Sequence, residues 1–509
     1  MRYGFLIDQR SCIGCHACTV ACKSEHEVPL GVFRTWVKYI EKGTFPHTRR
    51  HFLVERCNHC ANAPCVEICP TQALFKRPDG IVDFDRSRCI GCKACMEACP
   101  YEAIYIDPMT ETAAKCNFCA HRIDQGLQPA CVQVCPEEAI IFGDLDDPST
   151  RISQLVGRNS VQVRRPEQGT EPKLFYIGAD EVALMPEALP HSTGAMWNEP
   201  TPAMMESAPA VSDTWLPHTE NAQVDYNVRH ERPWGWMVSA YLLTKSLAAG
   251  LFLVFGALLT LNIAGAHALA VPTSLAALVF LGLTTVLLVA DLKHPERFLY
   301  IVFKPHWTSW LVLGAYVLMG YGGLLVIWLG LDLLNATPLP FTWLVALFAI
   351  LAAIYTAFLF GQAEGRDLWQ GPLLPASLLA QAIISGAAGL LLLAAIGNLP
   401  GTLVRALVIT LLGAVLVHVA LVALEITMPH PTANAAWAVR ALRSGEQARR
   451  FWALGIGIGI VATLVLAIAA LAAPAAAVVL GAIAAVTALV GVVGYEHAFV
   501  QAGQAAPLS

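Results

Sequence analysis

Sixteen cysteines lie between Cys12 and Cys135, in four groups of four. Cys12, Cys15, Cys18 and Cys22 are spaced C-x2-C-x2-C-x3-C. Cys57, Cys60, Cys65 and Cys69 precede Pro70. Cys89, Cys92, Cys95 and Cys99 repeat the first spacing and precede Pro100. Cys116, Cys119, Cys131 and Cys135 precede Pro136. Such spacing suits iron–sulfur chemistry. Three thiolates on a tight loop hold three irons of a cubane. The fourth iron takes a thiolate from elsewhere, because the fourth local cysteine begins the chain leading to a neighbouring cluster. Small residues (Gly14, Ala17, Gly91, Ala94) let the loops wrap closely. Structural zinc needs four ligands and leaves the recurrent x3-C ending unexplained. A disulfide scaffold belongs to small secreted chains. All sixteen thiols are present, so four [4Fe–4S] clusters are expected.

These loops need a soluble scaffold, and the rest of the chain needs a different one. Of 509 residues, 56% are hydrophobic and 14% charged, against ~25% charged in ordinary soluble domains. Residues before about 230 are mixed and polar, whereas 234–498 is nearly continuous apolar sequence. A net charge of -5 without a basic patch argues against nucleic acid as a partner. The opening MRYGFLIDQRSCIGC has no apolar stretch, small-residue cleavage site or twin arginine. The cluster region is therefore expected to lack an export signal.

The order of the cysteine groups resembles the four-cluster electron-transfer subunits of the complex iron–sulfur molybdoenzymes, of the dimethyl sulfoxide and polysulfide reductase type. The eleven residues between Cys119 and Cys131 fit it, as do GDLDDPSTRI at 143–152 and RRPEQGTEPKLFYIG at 164–178. The resemblance covers about residues 1–180. It implies one cluster on Cys12, Cys15, Cys18 and Cys135, and a second on Cys22, Cys116, Cys119 and Cys131. It implies a third on Cys57, Cys60, Cys65 and Cys99, and a last on Cys69, Cys89, Cys92 and Cys95. It also implies that the first-plus-fourth groups face a catalytic subunit and the other pair the membrane. Residues 181–233, rich in Pro, Ser, Glu and Met, read as a surface linker.

A bilayer-spanning helix needs ~20 apolar residues. Eight stretches qualify: 236–262, 269–290, 308–331, 341–361, 374–396, 403–427, 451–472 and 475–495. Arg229 and Arg232, then Lys293, Arg297 and Lys304, then Arg366, then Arg440, Arg443, Arg449 and Arg450 occupy alternate connections. The intervening loops carry none. By the positive-inside rule both termini and the cluster domain are cytoplasmic, in the inner (cytoplasmic) membrane. The expected fold is an α+β ferredoxin-like double dicluster domain (1–180), a linker (181–233) and an all-α eight-helix transmembrane bundle (234–509).

DLKHPERF at 291–298, SW at 309–310, GRDLWQGPLLP at 365–375 and the ending AGQAAPLS resemble the NrfD/PsrC-type polysulfide reductase membrane anchors. That resemblance implies a quinone-reactive anchor without haem. Only His418 lies well inside a predicted span; His267, His294, His306, His430 and His497 lie at ends or in loops. A bis-histidine haem site is therefore not expected.

Ionisable residues inside membrane helices are costly and point to function. Asp291 ends the second span, where its charge opposes the helix dipole. Its position in the family motif matches a quinol site. Lys245 lies in the first span, and Glu425 in the sixth, two helical turns from His418. These residues could hydrogen-bond a quinone and pass it protons. Plainer roles stand beside this one. Lys245 can simply neutralise Asp291 or Glu425, His418 can be a packed histidine, Arg297 a head-group anchor and Tyr241 an interfacial aromatic.

No other catalytic constellation accompanies these features. The chain therefore reads as an electron-transfer and membrane-anchor subunit. The resemblance implies that it passes electrons between a molybdenum or tungsten bis-pterin subunit and menaquinone or ubiquinone in the lipid bilayer. The alternative is a subunit of a hydrogenase or another quinone-linked, proton-translocating complex.

Overall fold

The computed structural model describes residues 1–44, 46–185, 189, 222–334, 336, 338–397 and 399–509. They form two units. The first holds Met1–Pro233 with Ala363–Arg366 and Ala506–Ser509, and the second holds Trp234–Gln362 and Asp367–Ala505.

In the first unit β1 (Tyr3–Asp8) sits inside a four-stranded sheet. It pairs antiparallel with β8 (Ile140–Asp144) and parallel with β10 (Leu174–Ile177), and β9 (Val161–Gln162) lies beyond β10. Leu6, Ile141 and Ile177 pack on Ile152 of the helix Arg151–Arg158. The Thr150 side chain caps that helix by accepting the Ser153 N–H at 3.3 Å, which satisfies one of its open donors. A long hairpin, β2 (Thr35–Thr44) and β3 (His47–Arg56), forms a second sheet. Two short hairpins follow: β4 (Leu74–Lys76) with β5 (Val82–Phe84), and β6 (Ile104–Ile106) with β7 (Ala113–Lys115).

The expected linker lies largely outside the described residues. Its described end is not a plain connector: β11 (Ala222–Tyr226) adds to the edge of β2. Five residues docking on an existing edge draw order from backbone pairing, which leaves little periodicity in sequence. Arg366, read as a loop charge, is instead buried within the first unit, donating through Nε to Glu97 Oε2 at 2.6 Å.

Among the described residues the second unit has eight helices long and apolar enough to cross a membrane: Trp236–Thr260, Ala266–Ala290, Trp310–Leu333, Leu339–Gly361, Leu374–Ile396, Gly401–Thr427, Ala448–Ala472 and Pro474–Gly503. The first and fifth are the most enclosed, with 72% and 61% of their apolar windows buried. They form the bundle's interior. Their backbones meet where Gly250 faces Ala382 and Gly386; a Cβ on Gly250 or Gly386 would collide with the other helix's backbone. Close small-residue packing is how membrane helices associate without a hydrophobic drive. Leu275, Val279, Leu283 and Val286 form an exposed apolar stripe on the second helix, as a lipid-facing surface requires. Between the sixth and seventh spans lies a further helix, Ala433–Arg443, with Thr432 as its cap.

Candidate functional site

The four cysteine loops share one backbone device. The residue before the second cysteine of each group has a left-handed conformation: Gly14 (φ 68), His59 (φ 45), Gly91 (φ 69) and Phe118 (φ 65). Gly14 and Gly91 adopt it without cost, whereas His59 and Phe118 must be held there by their surroundings. The turn aims backbone N–H groups at sulfur. The amides of Gly14, His59 and Phe118 donate to Cys12, Cys57 and Cys116, the His59 bond measuring 3.5 Å. Leu74 and Ala113 donate to Cys69 and Cys89 at 3.5 and 3.4 Å.

The fold then gathers thiols from distant groups. Cys135 stands beside Cys12 and Cys15, and a cavity is lined by Cys12, Cys15, Cys18 and Cys135. Cys22 neighbours Cys116, Cys131 and Cys119. Cys65 neighbours Cys99, Cys57 and Cys60. Cys95 neighbours Cys92, Cys89 and Cys69. These are the thiols that the family resemblance groups into four quartets.

The quartets also follow one another. Cys18 of the first lies near Cys131 of the second, Cys116 of the second near Cys57 of the third, and Cys65 of the third near Cys95 of the last. At the middle junction the Phe118 and His59 rings meet edge to face at 5.1 Å. The first quartet is the most open, with Cys15 exposed and Cys12 and Cys135 partly so.

The environment fits [4Fe–4S] clusters. Among the described residues no three His, Cys, Asp or Glu side chains converge on a point where one ion could sit. The first quartet instead lines a cavity. Burial pushes the thiols of Cys18 and Cys99 up to about 11 and that of Cys119 up to about 12. Thiolates in such places need bound iron to hold them deprotonated. Donors wait around them: Arg56 Nη1 donates to Cys131 Sγ at 3.0 Å, and His26 Nε2 lies 3.1 Å from Cys119 Sγ. Burial lowers His26 to about 3, so the ring is neutral there and offers one N–H.

In the second unit Glu496, which sequence reasoning missed, interacts electrostatically with Lys245 and with Tyr241 and Tyr495, the tyrosines that also interact with Asp291 and Glu425. Lys245 is fully buried, and Nζ donates to Ala353 O at 2.9 Å and Thr356 Oγ1 at 2.8 Å. Its charged neighbour is Glu496 of the eighth span, whereas the plainer reading of the sequence paired it with Asp291 or Glu425. Glu496 is buried, and both carboxylate oxygens lack a hydrogen-bond partner among the described residues. Asp291 caps the second span at its C-terminal end. Tyr241, one turn before Lys245, faces both Asp291 and Glu496. It is buried in the bundle rather than interfacial. Tyr495 interacts electrostatically with Glu425 and Glu496, and meets His418 edge to face at 4.9 Å. Electrostatic interaction thus runs from Asp291 to Tyr241, from Tyr241 to Glu496, and from Tyr495 to both Glu496 and Glu425.

Glu496 was missed because the apolar run ends at 495, whereas the helix continues to Gly503. A polar residue ends a hydropathy window without ending the i→i+4 ladder. The same extension takes His497 into the helix, with Nδ1 3.1 Å from Ser239 Oγ, and not beyond its end.

A thiol-quartet unit joined to an eight-helix bundle defines an iron–sulfur protein with its own membrane anchor. The family described as "Polysulphide reductase, NrfD" matches residues 225–507, and "4Fe-4S dicluster domain" matches residues 11–74 and 48–145. The chain belongs to the NrfD polysulphide reductase family and carries [4Fe–4S] dicluster domains ahead of the anchor. Its cluster region is similar to one of the tetrathionate reductase subunits of Salmonella typhimurium: 45% identity over 202 residues, 39% of this chain and 80% of that one. It is 43% identical to the protein NrfC of Escherichia coli over 35% of this chain and 81% of the relative. It is 41% identical to one of the polysulfide reductase polypeptides of Wolinella succinogenes over 35% and 94%.

Proposed function

We propose that this chain passes electrons between a separate catalytic subunit and quinone in the cytoplasmic membrane. Four [4Fe–4S] clusters would occupy the four quartets and supply one-electron transfer along them. The linear succession of quartets, in one polypeptide with an NrfD anchor, is the observation that carries this reading. The half-exposed first quartet is the natural point for exchange with a soluble partner.

Reducing a quinone takes two electrons and two protons. Tyr241 through its hydroxyl, and Asp291 when it carries a proton, would donate to the quinone carbonyls. Glu496, with two unsatisfied oxygens, would hold and hand on the proton, and Lys245 would keep that carboxyl in place. Glu425, which interacts with Tyr495, would add to the proton supply. Menaquinone and ubiquinone both suit this chemistry, and the scheme needs no haem.

The partner we infer is a molybdenum or tungsten bis-pterin oxidoreductase. The relatives named for tetrathionate and polysulfide reductases favour a sulfur compound as its substrate. Alternation of Lys and Arg between loops favours cytoplasmic termini and a cytoplasmic cluster domain. Anaerobic purification in mild detergent, with mass spectrometry of what co-purifies, tests the assignment. A bis-pterin subunit is the expected companion. A hydrogenase, or no companion at all, would overturn it.

A further inference from the structure

Arg56 is buried to 1% exposure at the end of β3, where a cation is costly. Consecutive strand residues point to opposite faces. Glu55 pairs on its side with Arg164 at 3.1 Å, so it does not neutralise Arg56. The groups that act on the Arg56 charge are thiols: Cys131 and Cys116 of the second quartet and Cys18 of the first. Nη1 donates to Cys131 Sγ at 3.0 Å, while Nε and Nη2 have no hydrogen-bond partner among the described residues. The guanidinium lies 4.6 Å from the Phe5 ring, and Phe5 stacks on Phe118 at 3.9 Å, which fixes it between the first two quartets.

A buried guanidinium with an open fork, and with no carboxylate paired to it among the described residues, needs an anion. The anions this geometry offers are the cluster thiolates and sulfides. We propose that Arg56 is a positioning residue that sets the reduction potential of the cluster on Cys22, Cys116, Cys119 and Cys131. Adding an electron makes the cluster one unit more negative. A fixed positive charge at hydrogen-bond distance, in a low dielectric, favours that reduced form over the oxidised one. Net charge and hydrogen bonds to sulfur are the levers through which proteins tune such clusters. Arginine stays charged throughout, so the effect is constant with pH. The consequence is that the second site is easier to reduce than it would be without this charge.

This inference rests on the four-cluster reading, and one experiment separates their failures. Midpoint potentials are measured by redox titration followed by electron paramagnetic resonance, with iron content determined alongside. The second cluster is identified as the signal lost in Cys119→Ser. Fewer than four clusters in the unaltered protein would overturn the reading and the inference with it. With four present, Arg56→Gln is expected to lower the potential of the second cluster and leave the third and last unchanged. Arg56→Lys keeps the charge but loses the fork, and is expected to lower the same potential by less. It serves alone if Arg56→Gln fails to assemble. Unchanged potentials in the variants that assemble, or equal shifts in all four clusters, would overturn the proposal.

Discussion

Each thiol quartet is closed by a cysteine far away in sequence, and Cys131 and Cys135 are the sharpest case. Only four residues apart, they stand beside different quartets. Cys135→Ser should therefore remove or alter the cluster shared with Cys12, Cys15 and Cys18, while Cys131→Ser should affect the one shared with Cys22, Cys116 and Cys119. Resonance spectra of the two variants should each lose one signal, and not the same one. Loss of the same signal in both would mean that the quartets are wrongly drawn. At this scale the cysteines were legible because their spacing is set by cluster geometry. Asp291, Glu425 and Lys245 stood out as charges in apolar runs. Arg56 did not: in sequence it is one of several charges at the end of a strand. Only its thiol surroundings, visible in three dimensions, give it meaning.

Among the elements, helix positions followed from hydropathy because lipid demands ~20 apolar residues per span. Their contacts did not follow, since glycines that join helices and glycines that face outward look alike in sequence. Gly250 and Gly386 bring the first and fifth spans into backbone contact, whereas Gly282 has nothing near its missing Cβ. Gly250→Ala or Gly386→Ala should destabilise the bundle by about 1–3 kcal/mol, the range for overpacking. Gly282→Ala should be close to neutral. Thermal unfolding in detergent measures the difference, and equal stabilities would contradict the packing. In the first unit, β11 escaped sequence reasoning because edge pairing needs no apolar pattern. His59 and Phe118 likewise gave no sign of their left-handed backbones, which sequence reveals reliably only through glycine.

For the whole molecule, the split between a polar and an apolar part could be read from composition, because the two solvents select different residues, whereas the membership of Ala363–Arg366 and Ala506–Ser509 in the first unit could not. In the proposed function electron flow to quinone joins the two parts, with Asp291 and Glu496 managing the protons. The direct test uses the protein in liposomes with its clusters chemically reduced, mixed rapidly with menaquinone while cluster absorbance is followed. The clusters are expected to reoxidise as quinol forms. Asp291→Asn and Glu496→Gln should slow that step about a hundredfold, as loss of a general acid does, without changing iron content. Clusters that reoxidise no faster with quinone than without it would contradict the account.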